Sequence, residues 1–536
     1  MSSPGNLAAW LLQGALARGA GPRSAIREGQ RVWTYAELAA QVARVSGALR
    51  SLKIGRGERV LILMRDTLEG AAAFLGTVHA GAIAVPVSEL STADDVQACV
   101  AHCGAVVAFV DDLHEQVVDA IRRESPNLRE VIAVGASVPG SHDFHQLVDA
   151  ADPGAAASLG PDDVAFLLYS AGSGPGELRA VPHSQRTIAA AFESFGRGLL
   201  QLTDEDRILS VARLSTAYGL GAGLLFPIAA CAEALLFPAQ PQSEPVFDAL
   251  ETYRPTVLFA TPSVYAQLAY DAEANHLDRP LAKLRATVAG AEGMPERLIP
   301  RIRRVLGTEV IVGYGLTEIF QFALAGRSDD PGARPGVCGK PLAGVQLRLL
   351  DEDGDPVGVD EIGNLELTCG SLFAGYWGGG TPAPTVAGEG DLRPDGYFLT
   401  RDRFMVDAAG FFHHAGRVDD LFKVGGKWVS PAEVELALTS HEAVWEAAVI
   451  GADDDEGLIK PFAFVVTNVG QDSGPRLEAE LKEYVKNVLA PYKYPRWIEF
   501  VDALPRGPGG KLLRYKLRTP TQRRRRAETG HGPPVK

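Results

Sequence analysis

Apolar positions along this chain follow two alternating rhythms. Short unbroken apolar runs, bounded by turn-forming residues, alternate with longer stretches in which apolar residues return every three or four positions. Between residues 60 and 87 the run VLILM, the small-residue stretch GAAAFLGTVHAGA and the run AIAVPV read as strand, helix and strand, the pattern of a βαβ unit. Further strands are predicted at 106–110, 131–134, 164–169, 208–211, 234–237, 257–260, 286–288 and 310–312, with helical segments between most of them. Apolar runs of this kind belong to strands buried on both faces, so the first part of the chain reads as a large α/β region.

After about Gly336 the rhythm changes. Segments such as VQLRLLDEDGDPVG and GNLELTCGS alternate apolar and polar residues and break at acidic turns, which predicts an antiparallel, β-barrel-like subdomain. Beyond Arg417 a smaller α+β pattern follows: EAAVIGADD, FAFVVTN, a helix near 477–489 and a basic loop at 505–516. The expected division is residues 1–418, 419–518 and a basic, disordered tail at 519–536. The apolar stretch from Leu7 to Ala17 has no basic segment before it and is followed by Arg18, so it reads as an amphipathic helix, not a signal peptide. No other run is long and uncharged enough to span a bilayer.

Composition narrows the class. A chain of 536 residues, 46% of them hydrophobic, is too long for one core and has enough apolar content to fill two. Net charge is −14 although Arg523, Arg524, Arg525, Arg526 and Lys536 crowd the last residues; the body is acidic and nucleic-acid binding is not suggested. The five cysteines, Cys99, Cys103, Cys231, Cys338 and Cys369, show no paired metal-type spacing, and a reducing cytoplasm is the simplest setting. A monomer and a homodimer are both left open.

Four segments carry candidate chemistry. The stretch YSAGSGPGELRAVPHS follows a strand and offers Ser170, Gly172, Ser173 and Arg179; such a loop can turn backbone N–H groups and a positive charge toward phosphate, although it also reads as a plain surface turn. The stretch VGYGLTEIFQ holds Gly313, Tyr314, Gly315, Thr317 and Glu318. Its aromatic ring could stack on a purine, its hydroxyl could bind phosphate and its carboxylate could hold Mg²⁺; a strand-to-helix turn capped by Thr317 is the plainer reading. A third segment from Tyr397 contains Asp402 and Arg417, suited to ribose hydroxyls, and Gly425 with Gly426, which allow close approach of a narrow ligand arm. The fourth, LPRGPGGKLLRYKLR, ends a flexible loop at Lys511, a mobile point charge that can meet a carboxylate and a phosphate.

In this order the four segments resemble the adenylate-forming superfamily of acyl- and aryl-CoA ligases, peptide-synthetase adenylation domains and luciferases. The resemblance runs from WTYAELA at Trp33 to KLLRYKLR, and DTLEGAAAFLGTVHAGAIAVPV, TAYGLGAGLLFP, PSVYAQLA and DDLFKVGGKWVSPAEVE are most similar to the benzoate-CoA ligase group. It implies ATP, Mg²⁺ and coenzyme A as cofactors. It also implies that Thr317 and Glu318 serve phosphate and metal, and that Gly290, Ala291, Glu292 and Tyr314 frame adenine. Asp402 and Arg417 would hold ribose, Lys511 would drive adenylation, Asp419 would be the hinge, and Gly425 and Gly426 would line the pantetheine tunnel. The acid slot would lie between Ala217, Tyr218, Gly219 and the segment after Glu318. There Gln321 stands where benzoate-type relatives often carry His; its amide could bond an amino or hydroxyl substituent, or it is an ordinary polar residue on a helix edge.

Two departures stand out. The family's phosphate loop usually reads Ser-Thr-Gly-x-Pro-Lys-Gly, whereas this one is a residue longer, lacks Thr and carries Arg179 for Lys. The usual Thr-Gly-Asp before the ribose carboxylate is Thr400-Arg401-Asp402, leaving Arg401 either to clash or to add a phosphate contact. The expected activity is ATP-dependent conversion of a small aromatic acid to an acyl-adenylate and then to a thioester of coenzyme A. A carrier-protein phosphopantetheine as acceptor, and a non-catalytic ligand-binding descendant, are the alternatives.

Overall fold

The βαβ pattern at the start of the chain forms as read. Arg59–Leu63 and Ile83–Pro86 pair in parallel, Val60 beside Ala84 and Leu61 beside Val85, joined by the helix Leu68–Ala80. That helix is buried on every side, capped at its start by Thr67 and closed by Gly81 at φ 84°, a left-handed position that suits glycine. A computed structural model describes residues 5–135, 138–171, 178–274, 284–332, 337–378, 391–418, 420–454, 456–468, 470–471, 473–506, 512–514 and 516–518. The predicted tail at 519–536 lies outside them.

Two large sheets follow from the buried runs. The first has seven strands in the order His142–Asp143, Glu130–Val134, Val107–Asp111, Arg59–Leu63, Ile83–Pro86, Val164–Ala171, Leu178–Ser184, parallel except for the last pair. The second has thirteen; its parallel part runs from Ser24–Glu28 through Glu233–Leu235, Arg207–Ser210, Val257–Ala260 and Ala286–Ala289 to Val310–Leu316. One apolar core joins the sheets: Phe166 of the first meets Phe320 of the second edge-on at 5.4 Å. The helix Leu7–Ala17 packs Leu7, Ala8, Leu11, Leu12 and Ala15 into this core.

At Val310–Leu316 the second sheet changes character. Its next neighbours, Gln321–Arg327, Val337–Pro341, Phe412–Arg417, Phe398–Val406, Ile362–Cys369 and Val345–Leu350, are all antiparallel. The subdomain expected to be barrel-like is this antiparallel run. Among the described residues its ladders continue the parallel sheet in series and leave Val345–Leu350 as an edge.

Past Arg417 the chain builds a smaller α+β body. A hairpin of Phe422–Val424 with Lys427–Val429 precedes the helix Pro431–Thr439 and a three-stranded sheet of Val444–Asp453, Ile459–Thr467 and Trp497–Phe500, with the helix Pro475–Val488. This body has its own apolar clusters, centred on residues such as Val434, Leu438, Val465 and Leu481. Among the described residues no helix is long and apolar enough to cross a membrane. All five cysteines are free thiols.

Candidate active site

The change from parallel to antiparallel pairing gathers the chemistry. Val310–Leu316 does not run into a helix: Thr317–Ile319 is one 3-10 turn, and Phe320, at φ 55°, sends the chain back as the strand Gln321–Arg327. A left-handed backbone is costly for a bulky residue, and here Phe320 is fixed by its ring, buried against Phe166, His183 and Phe226. Two expectations are corrected by this turn. Thr317 opens a tight reversal, not a helix, and Gln321 starts a strand, because the wholly buried QFALA segment pairs back along the strand it came from.

Tyr314, on the outgoing strand, meets residues almost ninety positions on. Its hydroxyl donates to Asp402 Oδ2 at 2.7 Å, and its ring stacks on His414 and meets Phe404 edge-on. Asp402 faces Arg417 across the ladder of Phe398–Val406 and Phe412–Arg417. The Arg417 guanidinium stands 3.7 Å from Asp402 Oδ2, and His414 Nε2 lies 3.2 Å from Oδ1. Asp402 is 3% exposed. Burial alone would raise its pKa, but the bonds and charges of His414, Arg417 and Tyr314 outweigh burial and hold it below the ordinary carboxylate range. The expected triad of Tyr314, Asp402 and Arg417 is therefore one cluster, and His414 joins it without having been marked in the sequence.

Arg401, beside this cluster, adopts φ 61°. Its guanidinium neither clashes nor turns to the cluster: Nε and Nη2 donate to Asp391 at 3.0 and 2.9 Å.

The 3-10 turn is held by a segment that sequence reading passed over. Ser371 Oγ donates to the Ile319 carbonyl at 2.7 Å, Phe373 N to the Glu318 carbonyl at 2.9 Å, and Tyr376 Oη to Glu318 Oε1 at 2.8 Å. The Arg179 guanidinium carbon lies 5.5 Å from the centre of the Tyr376 ring. Arg179 pairs with Ser170 across the hairpin of Val164–Ala171 and Leu178–Ser184. Gly172 and Ser173, in the loop of that hairpin, lie outside the described residues, as do Asp419 and Lys511.

A second group lies on the other side of Tyr314's strand. Tyr218 stacks on Phe322 with ring centres 5.7 Å apart and donates to the carbonyls of Ala260 and Val288. Ala217 opens the short helix Ala217–Leu220, capped by Thr216, and Gly219 sits so close to the Arg213 carbonyl that a side chain there would overlap it. Gly290 and Gly313 both abut the Phe322 ring, and Gly315 abuts the Gln321 carbonyl; their lack of side chains is required by this packing. Gln321 is 8% exposed, and its Oε1 is buried with no hydrogen-bond partner.

Ala291 has φ 71°, and Glu292 turns its carboxylate onto the start of the helix Pro262–Ala274, accepting from Ser263 N at 3.0 Å and Ser263 Oγ at 2.9 Å. The same carboxylate takes Arg506 at 3.3 Å, and Arg506 also reaches Glu446 at 3.0 Å. Arg506 and Leu512 pair as an isolated bridge around the loop that ends at Lys511. Arg297 adds hydrogen bonds to the carbonyls of His441 and Val444, and Tyr270 meets Trp445 edge-on. Gly425 and Gly426 form the exposed tip of their hairpin, at φ 56° and 80°, with no atom within 4 Å of where a side chain would begin.

Comparison with known proteins fits this arrangement. Residues 15–377 match the family model described as AMP-binding enzyme, and residues 433–511 match the AMP-binding enzyme C-terminal domain. A benzoate–CoA ligase of Thauera aromatica is 36% identical over 91% of this chain and 90% of its own. The anthranilate CoA ligase AuaEII, solved in complex with anthranoyl-AMP, superposes with a TM-score of 0.88 at 32% identity, covering 97% of this chain and 98% of that one. A benzoate CoA ligase from Burkholderia xenovorans superposes with a TM-score of 0.83 at 31% identity, covering 96% and 99%.

Proposed function

The chain belongs to the AMP-binding enzyme family, and from that premise we propose that it activates a small aromatic carboxylic acid with ATP and transfers the acyl group to coenzyme A. It is an AMP-forming acid–thiol ligase. The observation that carries the reading to this chain's own residues is the convergence of Tyr314, His414 and Arg417, from two distant stretches of sequence, onto the buried Asp402 carboxylate.

In the first half-reaction the acid's carboxylate attacks the α-phosphate and pyrophosphate leaves. Asp402 and Arg417 hold the ribose hydroxyls, and Tyr314 with the backbone of Gly290, Ala291, Gly313 and Gly315 frames adenine. The Glu292 side chain, engaged by Ser263 and Arg506, contributes to the frame by fixing this loop. Thr317 and Glu318 present a hydroxyl and a carboxylate to MgATP. One protein carboxylate suits Mg²⁺, which keeps most of its ligands as water and phosphate oxygens. Arg179, with Ser170, Gly172 and Ser173 of the same hairpin, steadies the departing phosphates, and Lys511 bridges the acid and the α-phosphate.

In the second half-reaction the body that begins at residue 419 turns about Asp419, taking Lys511 away and bringing Gly425 and Gly426 to the adenylate for the thiol. Residues 1–418 and 419–518 are the two working units of this scheme. The docking of Arg506 on Glu292, with Gly425 and Gly426 exposed, fits the posture of the first half-reaction.

The aromatic ring lies in the slot of Ala217, Tyr218, Gly219 and Phe322. The unpartnered Gln321 Oε1 favours a ring that carries a hydrogen-bond donor, an amino or hydroxyl group, over plain benzoate. ATP–pyrophosphate exchange across benzoate, anthranilate, salicylate, hydroxybenzoates, cinnamates and short fatty acids, followed by thioester formation with coenzyme A, tests the reading. Exchange confined to fatty acids would sink it. Acylation of a holo-carrier protein without coenzyme A would replace the acceptor, and silence toward every aryl acid would point to a binding protein.

A further inference from the structure

Residues 371–377 form a strap that touches both charged elements of the phosphate site. One end is tied to the 3-10 turn by Ser371 Oγ to the Ile319 carbonyl and Phe373 N to the Glu318 carbonyl. The other is tied to the strand after the phosphate loop, where Trp377 N donates to the Ala180 carbonyl at 2.9 Å. Trp377, 2% exposed, packs in the apolar cluster that includes Ala180, and Phe373 packs with Val181. Tyr376, between these anchors, donates its hydroxyl to Glu318 Oε1 and offers its ring face to Arg179.

We infer that Tyr376 is a positioning residue for the first half-reaction, holding the Glu318 carboxylate and the Arg179 guanidinium in fixed relation so that one MgATP meets both. The inference rests on the assignment of Glu318 and Arg179 to the phosphate site. A glutamate on a short turn has three rotatable bonds, and an unrestrained one loses that freedom when it takes up a metal. The Tyr376 hydroxyl fixes one oxygen and leaves Glu318 Oε2 for the incoming ion. On the other side, the ring face holds a guanidinium by cation–π attraction. This ties down the cation that replaces the family's lysine in the altered loop.

The test is calorimetric titration of the full chain with ATP in Mg²⁺ and with ATP in EDTA, for wild type, Tyr376→Phe and Tyr376→Leu. The phenylalanine variant keeps the ring and loses the bond to Glu318. Its affinity for MgATP should fall roughly tenfold, and by more than its affinity for Mg²⁺-free ATP, which feels only the loss of the hydroxyl's contact with Arg179. The leucine variant should lose more affinity for both forms, because Arg179 loses the aromatic face as well. Melting temperatures within a few degrees of wild type confirm that the variants fold. A folded Tyr376→Phe variant that gains as much from Mg²⁺ as wild type would overturn the positioning role. If wild type itself gains nothing from Mg²⁺, the assignment of Glu318 fails and the inference falls with it, an outcome visible before any variant is made.

Discussion

The Tyr314 hydroxyl lies 2.7 Å from Asp402 Oδ2, joining the strand Val310–Leu316 to the antiparallel strand Phe398–Val406 through a buried carboxylate. An ionised carboxylate at 3% exposure needs donors, and Tyr314, His414 and Arg417 hold this one in place. Asp402→Asn should raise the KM for ATP roughly ten- to a hundredfold, and Tyr314→Phe should raise it less. Steady-state kinetics with ATP as the varied substrate checks both, and an unchanged KM in Asp402→Asn removes the ribose assignment.

The buried Gln321 Oε1 makes a prediction about choice of acid. Gln321→Leu should improve kcat/KM for benzoate relative to anthranilate and hydroxybenzoates by roughly tenfold or more, because an unpaired buried acceptor is removed for one and a bond lost for the others. Competition between the acids, read by mass spectrometry of the thioesters, gives the ratio directly. Equal ratios in wild type and variant would dissociate Gln321 from specificity.

Arg506 separates the two half-reactions. Its ion pair to Glu292 joins the two bodies, whereas its pair to Glu446 lies within the smaller one, so Arg506→Ala should slow pyrophosphate exchange several-fold. Thioester formation from preformed adenylate should keep its rate. Single-turnover measurements resolve the two, and equal losses in both steps would mean that Arg506 acts on folding.

Arg401 bonds Asp391 instead of a ligand. Arg401→Gly relieves a left-handed backbone and gives up a partly exposed ion pair, two effects of about 1 kcal/mol each and of opposite sign. Stability and the KM for ATP should both stay close to wild type. A large rise in KM would place the guanidinium at phosphate after all.

The cluster of Asp111, His114 and Arg65 sets a pH window. Burial pushes Asp111 upward, but hydrogen bonds from His114 and Arg65 outweigh it and bring its pKa down to about 2. The depressed value means stabilisation that is present above the unfolded pKa of about 4 and lost as pH falls from there toward 2. His114 is shifted the other way: burial lowers its pKa, yet Asp111 and the Glu89 carbonyl raise it overall. Its share is full below the unfolded value of about 6.5 and fades as pH rises through the folded one. Asp111→Asn should lower the melting temperature at neutral pH, with a deficit that shrinks below about pH 4. A constant deficit down to pH 2 would show that the charge is immaterial.

Much of the architecture was legible because it rests on local rules. The helix Leu7–Ala17 and the unit from 60 to 87 are written in apolar spacing, caps and a closing glycine. Tyr314, Asp402 and Arg417 could be marked because each chemical type sits in a recognisable segment. What stayed hidden depends on partners far along the chain. Nothing local says that Phe320 takes a left-handed backbone, which made the reversal at Gln321 look like a helix start. Tyr376 and His414 gain their meaning only from Glu318 and Asp402, residues 58 and 12 positions away. That Glu292 takes Ser263 and Arg506 as partners likewise depends on residues 29 and 214 positions away.

Among the described residues, the joint between the two bodies includes guanidinium contacts, Arg297 on the carbonyls of His441 and Val444 and Arg506 on the Glu292 carboxylate, together with the aromatic edge contact of Tyr270 and Trp445. Water and dissolved ions can replace such polar partners. The balance between its closed and parted forms should shift with added salt.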